Sequence, residues 1–223
     1  SLHLKKMGVT FQEPEIDIYN VKKWKNEVVK KLNNGISSLA KARKINVING
    51  YASFLSNNKL KIKSKNKSIN LEFENCIIAT GSSPKEINTF PNDKRIMDST
   101  SALELNDIPK EIAIIGGGYI GLEMGSIYNS LGSEVTVVEY LPNLLPGADP
   151  DLVKPLEKIL RKKFKKIILS TKVDQIKTNK NDLELLLSSN GNNYTIQANK
   201  VLVSIGRTPN TKSLNLENTD ITV

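Results

Sequence analysis

One cysteine and one histidine occur in the 223 residues, and aromatic side chains make up only 5% of them. A lone Cys76 excludes an internal disulfide framework and any Cys-x-x-Cys pair within this stretch. It lies beside the apolar residues Ile77, Ile78 and Ala79, so a buried, inert thiol is expected. His3 has no histidine or cysteine partners for a nucleophile relay or a metal set, so it reads as a surface residue and no metal is expected. No run of residues approaches the roughly 20 apolar positions of a membrane helix, which speaks against a membrane partner. The opening Ser1 to Lys6 lacks the apolar core and cleavage site of a signal peptide and resembles the end of a helix. A cytoplasmic setting follows as the plain expectation.

Arginine is scarce too. Only Arg43, Arg95, Arg161 and Arg207 interrupt a basic set of 32 residues, set against 23 acids for a formal charge of +9. Such an excess raises the question of nucleic acid, since lysine-rich surfaces displace counterions from phosphates. The densest cluster, Lys59, Lys61, Lys63, Lys65 and Lys67, alternates with Leu60, Ile62 and Ser64. That is the pattern of a half-exposed strand, whose lysines would discourage edge pairing. The excess charge therefore reads as solvated faces, and no nucleic-acid partner is expected.

What the chain does contain is a strand, three spaced glycines and an acid. Ile112 to Ile115 form an unbroken apolar run of the kind found in parallel strands buried on both faces. Gly116, Gly118 and Gly121 follow in G-x-G-x-x-G order, and a helix continues to about Leu131, where Gly132 supplies a left-handed stop. Val135 to Glu139 is the next strand, placing a carboxylate about 20 residues beyond the glycines. Each part has a physical role. Gly116 permits the turn, Gly118 admits a pyrophosphate to backbone N–H groups, and Gly121 lets helix and sheet pack closely. The phosphates would rest on the helix N-terminus. Glu139 would accept hydrogen bonds from ribose hydroxyls and repel a 2′-phosphate, which favours NAD over NADP. No arginine lies between Glu139 and Arg161 to receive that phosphate.

An internal echo is the second informative feature. Asn75-Cys76-Ile77-Ile78-Ala79-Thr80-Gly81-Ser82-Ser83-Pro84 resembles the stretch from Asn199 to Pro209, each reading as an apolar strand that ends in a Gly and a Pro-bearing turn. Short alternating strands precede both, over Tyr51 to Phe73 and Val173 to Gln197. Two related nucleotide domains in series are indicated. The later copy begins its fingerprint at Gly116, and the same offset before Gly81 falls ahead of Ser1, so the earlier fingerprint is expected upstream and the chain reads as truncated.

Between these motifs, Val21, Trp24, Val28, Leu32, Ile36 and Leu39 keep helical spacing, which predicts a long helix from about Asn20 to Lys44 with Trp24 in the core. Ile45 to Asn49 reads as a strand, and Asp98 to Ile108 as a crossing segment. Asp149 and Pro150 open a further helix, whose apolar face comprises Leu152, Leu156, Ile159, Leu160 and Phe164. Pro155 leaves open whether that helix is kinked or begins near Lys154.

The segments Asp98 to Leu105, Ile115 to Gly125, Leu131 to Glu139, Gly147-Ala148-Asp149, Thr171-Lys172-Val173 and Gly206 to Asn210 together resemble the dihydrolipoamide dehydrogenases of the pyridine nucleotide-disulfide oxidoreductases. The resemblance covers essentially the whole chain. It implies an α/β fold of FAD/NAD(P)-binding Rossmann-like three-layer domains with antiparallel meander crossovers, truncated at both ends. A partial FAD-binding domain would span 1–108, an NAD-binding domain 109–206, and a return segment into the FAD domain 207–223. The implied activity of the intact enzyme is oxidation of dihydrolipoyl groups through FAD, with NAD as acceptor. Partners would be the lipoyl-bearing acyltransferase of a 2-oxoacid dehydrogenase complex and a second subunit in a homodimer. By this likeness Gly116, Gly117, Gly118, Tyr119, Ile120 and Gly121 line the NAD pyrophosphate, Glu139 the adenosine ribose and Val173 the adenine. Glu123 falls near nicotinamide and flavin, and Gly206 borders the nicotinamide half. Ala52 corresponds to a position that reads the FAD adenine, with Thr80 and Gly81 approaching the FAD. Arg207 is expected to pin a turn through a salt bridge. Tyr119 departs from the Ile or Val of the lipoamide enzymes and resembles the gating tyrosine of glutathione reductase. The family's Cys-x4-Cys pair and His-Glu base are not among these residues, so the chain alone would lack turnover. Another flavin-dependent disulfide reductase or an NADH oxidase is the alternative.

Overall fold

A computed structural model describes residues 6–10, 12, 14–65 and 67–222, which leaves His3 and most of the opening segment outside the described residues. Helix α1 (Ile18–Ala42) starts on Asp17, whose carboxylate accepts the Asn20 backbone N–H at 3.1 Å. Strands β1 (Tyr51–Ser56), β2 (Lys59–Lys63) and β3 (Ser68–Glu72) form an antiparallel meander. Next come β4 (Ser82–Pro84), β5 (Ile96–Met97) and the short helix α2 (Ser99–Ala102), closed by a reciprocal Asp98–Ser101 capping box. The nucleotide fingerprint follows as β6 (Glu111–Ile115), α3 (Tyr119–Ser130) and β7 (Glu134–Val138). Helix α4 (Pro150–Lys163) leads to β8 (Lys166–Ile168) and a second meander, β9 (Lys172–Thr178), β10 (Leu183–Ser189) and β11 (Asn192–Ala198). Strands β12 (Lys200–Val203) and β13 (Arg207–Pro209) and a 3-10 turn at Leu216–Asn218 complete the order.

The centre is a parallel sheet in the order β5-β12-β6-β7-β8. Its strands are apolar on both faces because both faces are covered. Ile112, Ile114, Val135, Val137 and Leu202 pack with Leu122, Met124 and Tyr128 of α3 and Val153 and Leu160 of α4. Ala113, Ile115, Val138, Val201 and Val203 face the second meander through Ile176, Leu183, Leu185 and Leu187. Helices, sheet and meander make the three layers expected. Strand β5 and helix α2 precede residue 109 yet belong to this unit, with Met97, Ala102 and Leu105 in its core.

Away from this sheet several expectations fail, for one reason. Trp24, expected in the core, is 67% exposed, and Leu32, Ile36 and Leu39 of α1 are exposed with it. Only Ile18 and Val21 reach the core, while Lys22 and Lys25 tether the helix to Asn106 and the Leu103 carbonyl. Residues 45–49 and 75–81 form no strand, Ile77 is 91% exposed, and Cys76 is exposed where a buried thiol was expected. Apolar periodicity marks a face, but burial needs an element against it. No described element covers these residues. The lysine strand β2 is central in its meander, so its lysines guard no edge; Ile62 points inward, and Phe54 packs with Leu214 and Leu216. Helix α4 runs unbroken through Pro155. It buries Val153 and Leu160, with Phe164 at its C-cap, and leaves Leu152 and Ile159 exposed, a narrower strip than the sequence suggested.

Candidate functional site

Strand β6 pairs with β7 on one side and with β12, which arrives much later in the chain, on the other. The chain leaves β6 toward β7 and returns to β6's other side only from β11, so the strand order reverses beside β6 and a crevice opens beyond the carboxyl ends of β6 and β12. A cleft of about 1350 Å³ lies there, walled by Gly116, Gly118, Tyr119 and Ile120 after β6, Glu139 to Leu141 after β7, Thr171 to Asp174 at β9, and Ser204 to Arg207 after β12. Its size exceeds a drug-sized pocket of roughly 300–1,000 Å³ and suits an extended ligand.

The three fingerprint glycines have different causes. Gly116 sits at φ +105°, and a Cβ there would stand 2.4 Å from the Ser204 carbonyl oxygen. At Gly121 a Cβ would meet the Gly116 carbonyl oxygen at 2.2 Å, so α3 rests directly on the turn. Gly118 is unlike both. It is the N-cap of α3 in extended conformation, and an added Cβ would meet nothing within 4 Å. Among the described residues no neighbour requires glycine at 118. The open volume on this wall of the cleft is a cradle beside the first N–H groups of α3, where an anion gains both hydrogen bonds and the helix dipole.

Glu139 is 6% exposed, and both its oxygens are engaged: Oε2 accepts the Gly117 N–H at 2.5 Å and Oε1 the Leu141 N–H at 2.7 Å. The acid thus fixes the glycine turn as well as facing the cleft. A carboxylate offers about four lone-pair directions, so these two bonds leave acceptor capacity for hydroxyl donors. Ser204 ties the two strand ends together, its hydroxyl donating to the Ile115 carbonyl at 3.0 Å.

Of the residues chosen from sequence, Gly116, Gly118, Tyr119, Ile120, Glu139, Val173 and Gly206 share the cleft wall, and Gly117 and Gly121 support it from behind. Glu123 is exposed on α3 and does not line the cleft. Ala52 lies in β1, while Thr80 and Gly81 form a separate junction. There the Thr80 hydroxyl donates to the Asn210 carbonyl at 2.9 Å, and the Asn210 N–H donates to the Gly81 carbonyl at 3.0 Å. Arg207 pins this junction, but among the described residues it makes no salt bridge: its guanidinium donates to the Ser82 hydroxyl and carbonyl and the Ser99 hydroxyl. Sequence reasoning passed over Lys172 and Asp174 as wall residues. Strand alternation would turn neighbours to opposite faces, and an irregularity in β9 defeats that rule.

Among the described residues, no helix is long and apolar enough to cross a membrane. The chain is 42% identical over 214 residues to the dihydrolipoyl dehydrogenase of Vibrio parahaemolyticus, an alignment covering 94% of this chain and 44% of that protein. It is 41% identical over 216 residues to that of Buchnera aphidicola, covering 96% of this chain and 46% of the relative. The chain therefore spans under half the length of these curated relatives. Among solved structures it is similar to the HOCl-induced flavoprotein disulfide reductase RclA from Escherichia coli in its Cu(II) complex. The TM-score is 0.80 at 32% identity, over 92% of this chain and 46% of that one. LpdA from Mycobacterium tuberculosis shares the fold at TM-score 0.83 and 21% identity, over 94% of this chain and 47% of that one. The pyridine nucleotide-disulphide oxidoreductase family matches residues 3–223, in agreement with the glycine turn, the crevice and the three layers, and the chain belongs to that family.

Proposed function

We propose that this chain supplies the NAD-binding part and a portion of the FAD-binding part of a cytoplasmic dihydrolipoyl dehydrogenase. The observation that carries the reading is Gly118, a glycine that no neighbour demands, at the helix end of a large cleft. A pyrophosphate would lie across Gly116 to Gly121, the adenosine ribose at Glu139, the adenine against Val173 and the nicotinamide half toward Tyr119 and Gly206. Glu123 would serve the flavin side. Bound NAD supplies the hydride acceptor and FAD the relay from the dithiol. The protein's own residues orient the dinucleotide and close the turn beneath it.

Supporting a portion of the flavin domain, the return segment pairs β13 with β4 beside Thr80 and Gly81, and Leu214 packs on Phe54 of the strand that carries Ala52. The lipoyl-bearing acyltransferase and a second subunit complete the proposed assembly. Tyr119, 65% exposed on the cleft wall, together with the likeness to RclA, favours as the second reading another flavin-dependent disulfide reductase. Steady-state assays of the full-length gene product with dihydrolipoamide and with other dithiols separate the two.

Calorimetric titration of this chain tests the nucleotide reading. NADH is expected to bind on the order of tenfold tighter than NADPH, because a 2′-phosphate would approach the Glu139 carboxylate. Equal or tighter NADPH binding contradicts the assignment, as would an unchanged NADH dissociation constant in Glu139→Arg.

A further inference from the structure

At the adenosine end of the cleft, Glu139, Tyr140, Lys172 and Asp174 share one wall. The backbone brings the two segments together: Thr171 donates its N–H to the Glu139 carbonyl at 3.0 Å, and Ser170 donates to the Leu141 carbonyl at 3.0 Å. A cation, Lys172, therefore stands beside the acid that is proposed to exclude NADP. Left free, it would offer a 2′-phosphate the charge that the missing arginine does not.

Lys172 is not free. Its ammonium lies 2.8 Å from the Asp174 carboxylate, the one ion pair it makes among the described residues. Residues two apart in a strand share a face, which brings Lys172 and Asp174 together. In the register with β10, Leu186 pairs with Gln175 and Leu187 with Val173, so Asp174 is the extra, unpaired residue of a β-bulge. A regular strand would send residues 172 and 173 to opposite faces, but a bulge re-aims side chains. Here Lys172, Val173 and Asp174 all line the cleft.

We infer that Asp174 is a positioning residue for cofactor choice: it holds the Lys172 ammonium and keeps the adenosine end of the cleft net negative. The inference rests on the nucleotide reading above and adds a second acid to its specificity. Glu139 repels a 2′-phosphate directly, whereas Asp174 withdraws the cation that would attract it.

Three variants of the whole chain, titrated with NADH and NADPH, test this. Asp174→Asn should tighten NADPH binding roughly threefold to tenfold, the scale of one exposed charge pair, while leaving NADH within about twofold. That gain should weaken with added salt. In the Lys172→Met background the same Asp174→Asn change should give a clearly smaller gain, because only the direct repulsion by the carboxylate is then relieved. Lys172→Met alone leaves the Asp174 carboxylate uncompensated on the cleft wall and serves as the second test should Asp174→Asn unfold: it should weaken NADPH binding by up to about threefold and never tighten it. The inference is overturned if Asp174→Asn binds NADH normally yet gains no NADPH affinity. It is equally overturned if the gain is undiminished without Lys172, or if Lys172→Met alone tightens NADPH binding. Failure of the unaltered chain to bind NADH would contradict the nucleotide reading itself, and this inference with it.

Discussion

The stretches 75–84 and 199–209 read alike as sequences and fold differently. In the later copy, Lys200–Val203 is inserted between Ile96–Met97 and Glu111–Ile115, and Val201 and Leu202 are fully buried. In the earlier copy, Ile77 lies 91% exposed and no strand forms, although the turns that follow both copies pair with each other as β4 and β13. The comparison teaches that an apolar run with a terminal Gly and Pro permits a parallel strand but does not make one. A strand needs at least one neighbour to hydrogen-bond to, and among the described residues only the later copy has any.

The largest effect expected from breaking this contrast is in the strands themselves. Leu202→Ala should cost about 2–5 kcal/mol of unfolding free energy, whereas Ile77→Ala should stay within about 0.5 kcal/mol, both read from urea midpoints. Comparable losses at the two sites would refute the difference in burial. Glycines sharpen it next. Gly121→Ala forces a Cβ against the Gly116 carbonyl and should cost about 1–3 kcal/mol. At Gly81, φ is +71° but the nearest atom to an added Cβ is 4.0 Å away, so Gly81→Ala should cost about 1–2 kcal/mol, from backbone conformation alone.

A smaller effect concerns the core beneath the sheet, which the earlier copy lacks. Tyr128 is 1% exposed, and its hydroxyl donates to the Ala102 carbonyl at 2.9 Å. Burial first, then the nearby Asp107 charge, pushes the phenol up to about 12 from 10.0. A folded-state value above the unfolded one means that this stabilisation is complete below about pH 10 and is lost as pH rises through about 12. Tyr128→Phe should lower stability by about 1 kcal/mol at neutral pH and flatten the alkaline limb of the stability profile. An unchanged alkaline limb would show that Tyr128 does not set it.

Much of the nucleotide unit was legible because each element there satisfies local and tertiary demands together. The run Ile112 to Ile115, the glycines and Glu139 announce a buried strand, a turn and an acid, and neighbouring strands meet all three. Trp24, Cys76 and Ile77 were misread because periodicity records a face and says nothing of what covers it. Leu152 and Ile159 of α4 misled in the same way. Asp174 escaped notice because a bulge is an event between two strands, and neither strand shows it alone. Arg207 lies in β13, where a turn was expected, and serine hydroxyls and a carbonyl hold it in place of an acid.

The central claim is that the first turn of α3 holds a pyrophosphate in space that the protein leaves open. Gly118→Ala tests it most directly, because the added methyl meets no atom of the described residues within 4 Å. Stability should change by no more than about 1 kcal/mol, the difference between glycine and alanine at an N-cap, while the NADH dissociation constant should rise at least about tenfold. Undiminished NADH binding by a folded Gly118→Ala variant would place the dinucleotide elsewhere and contradict the account.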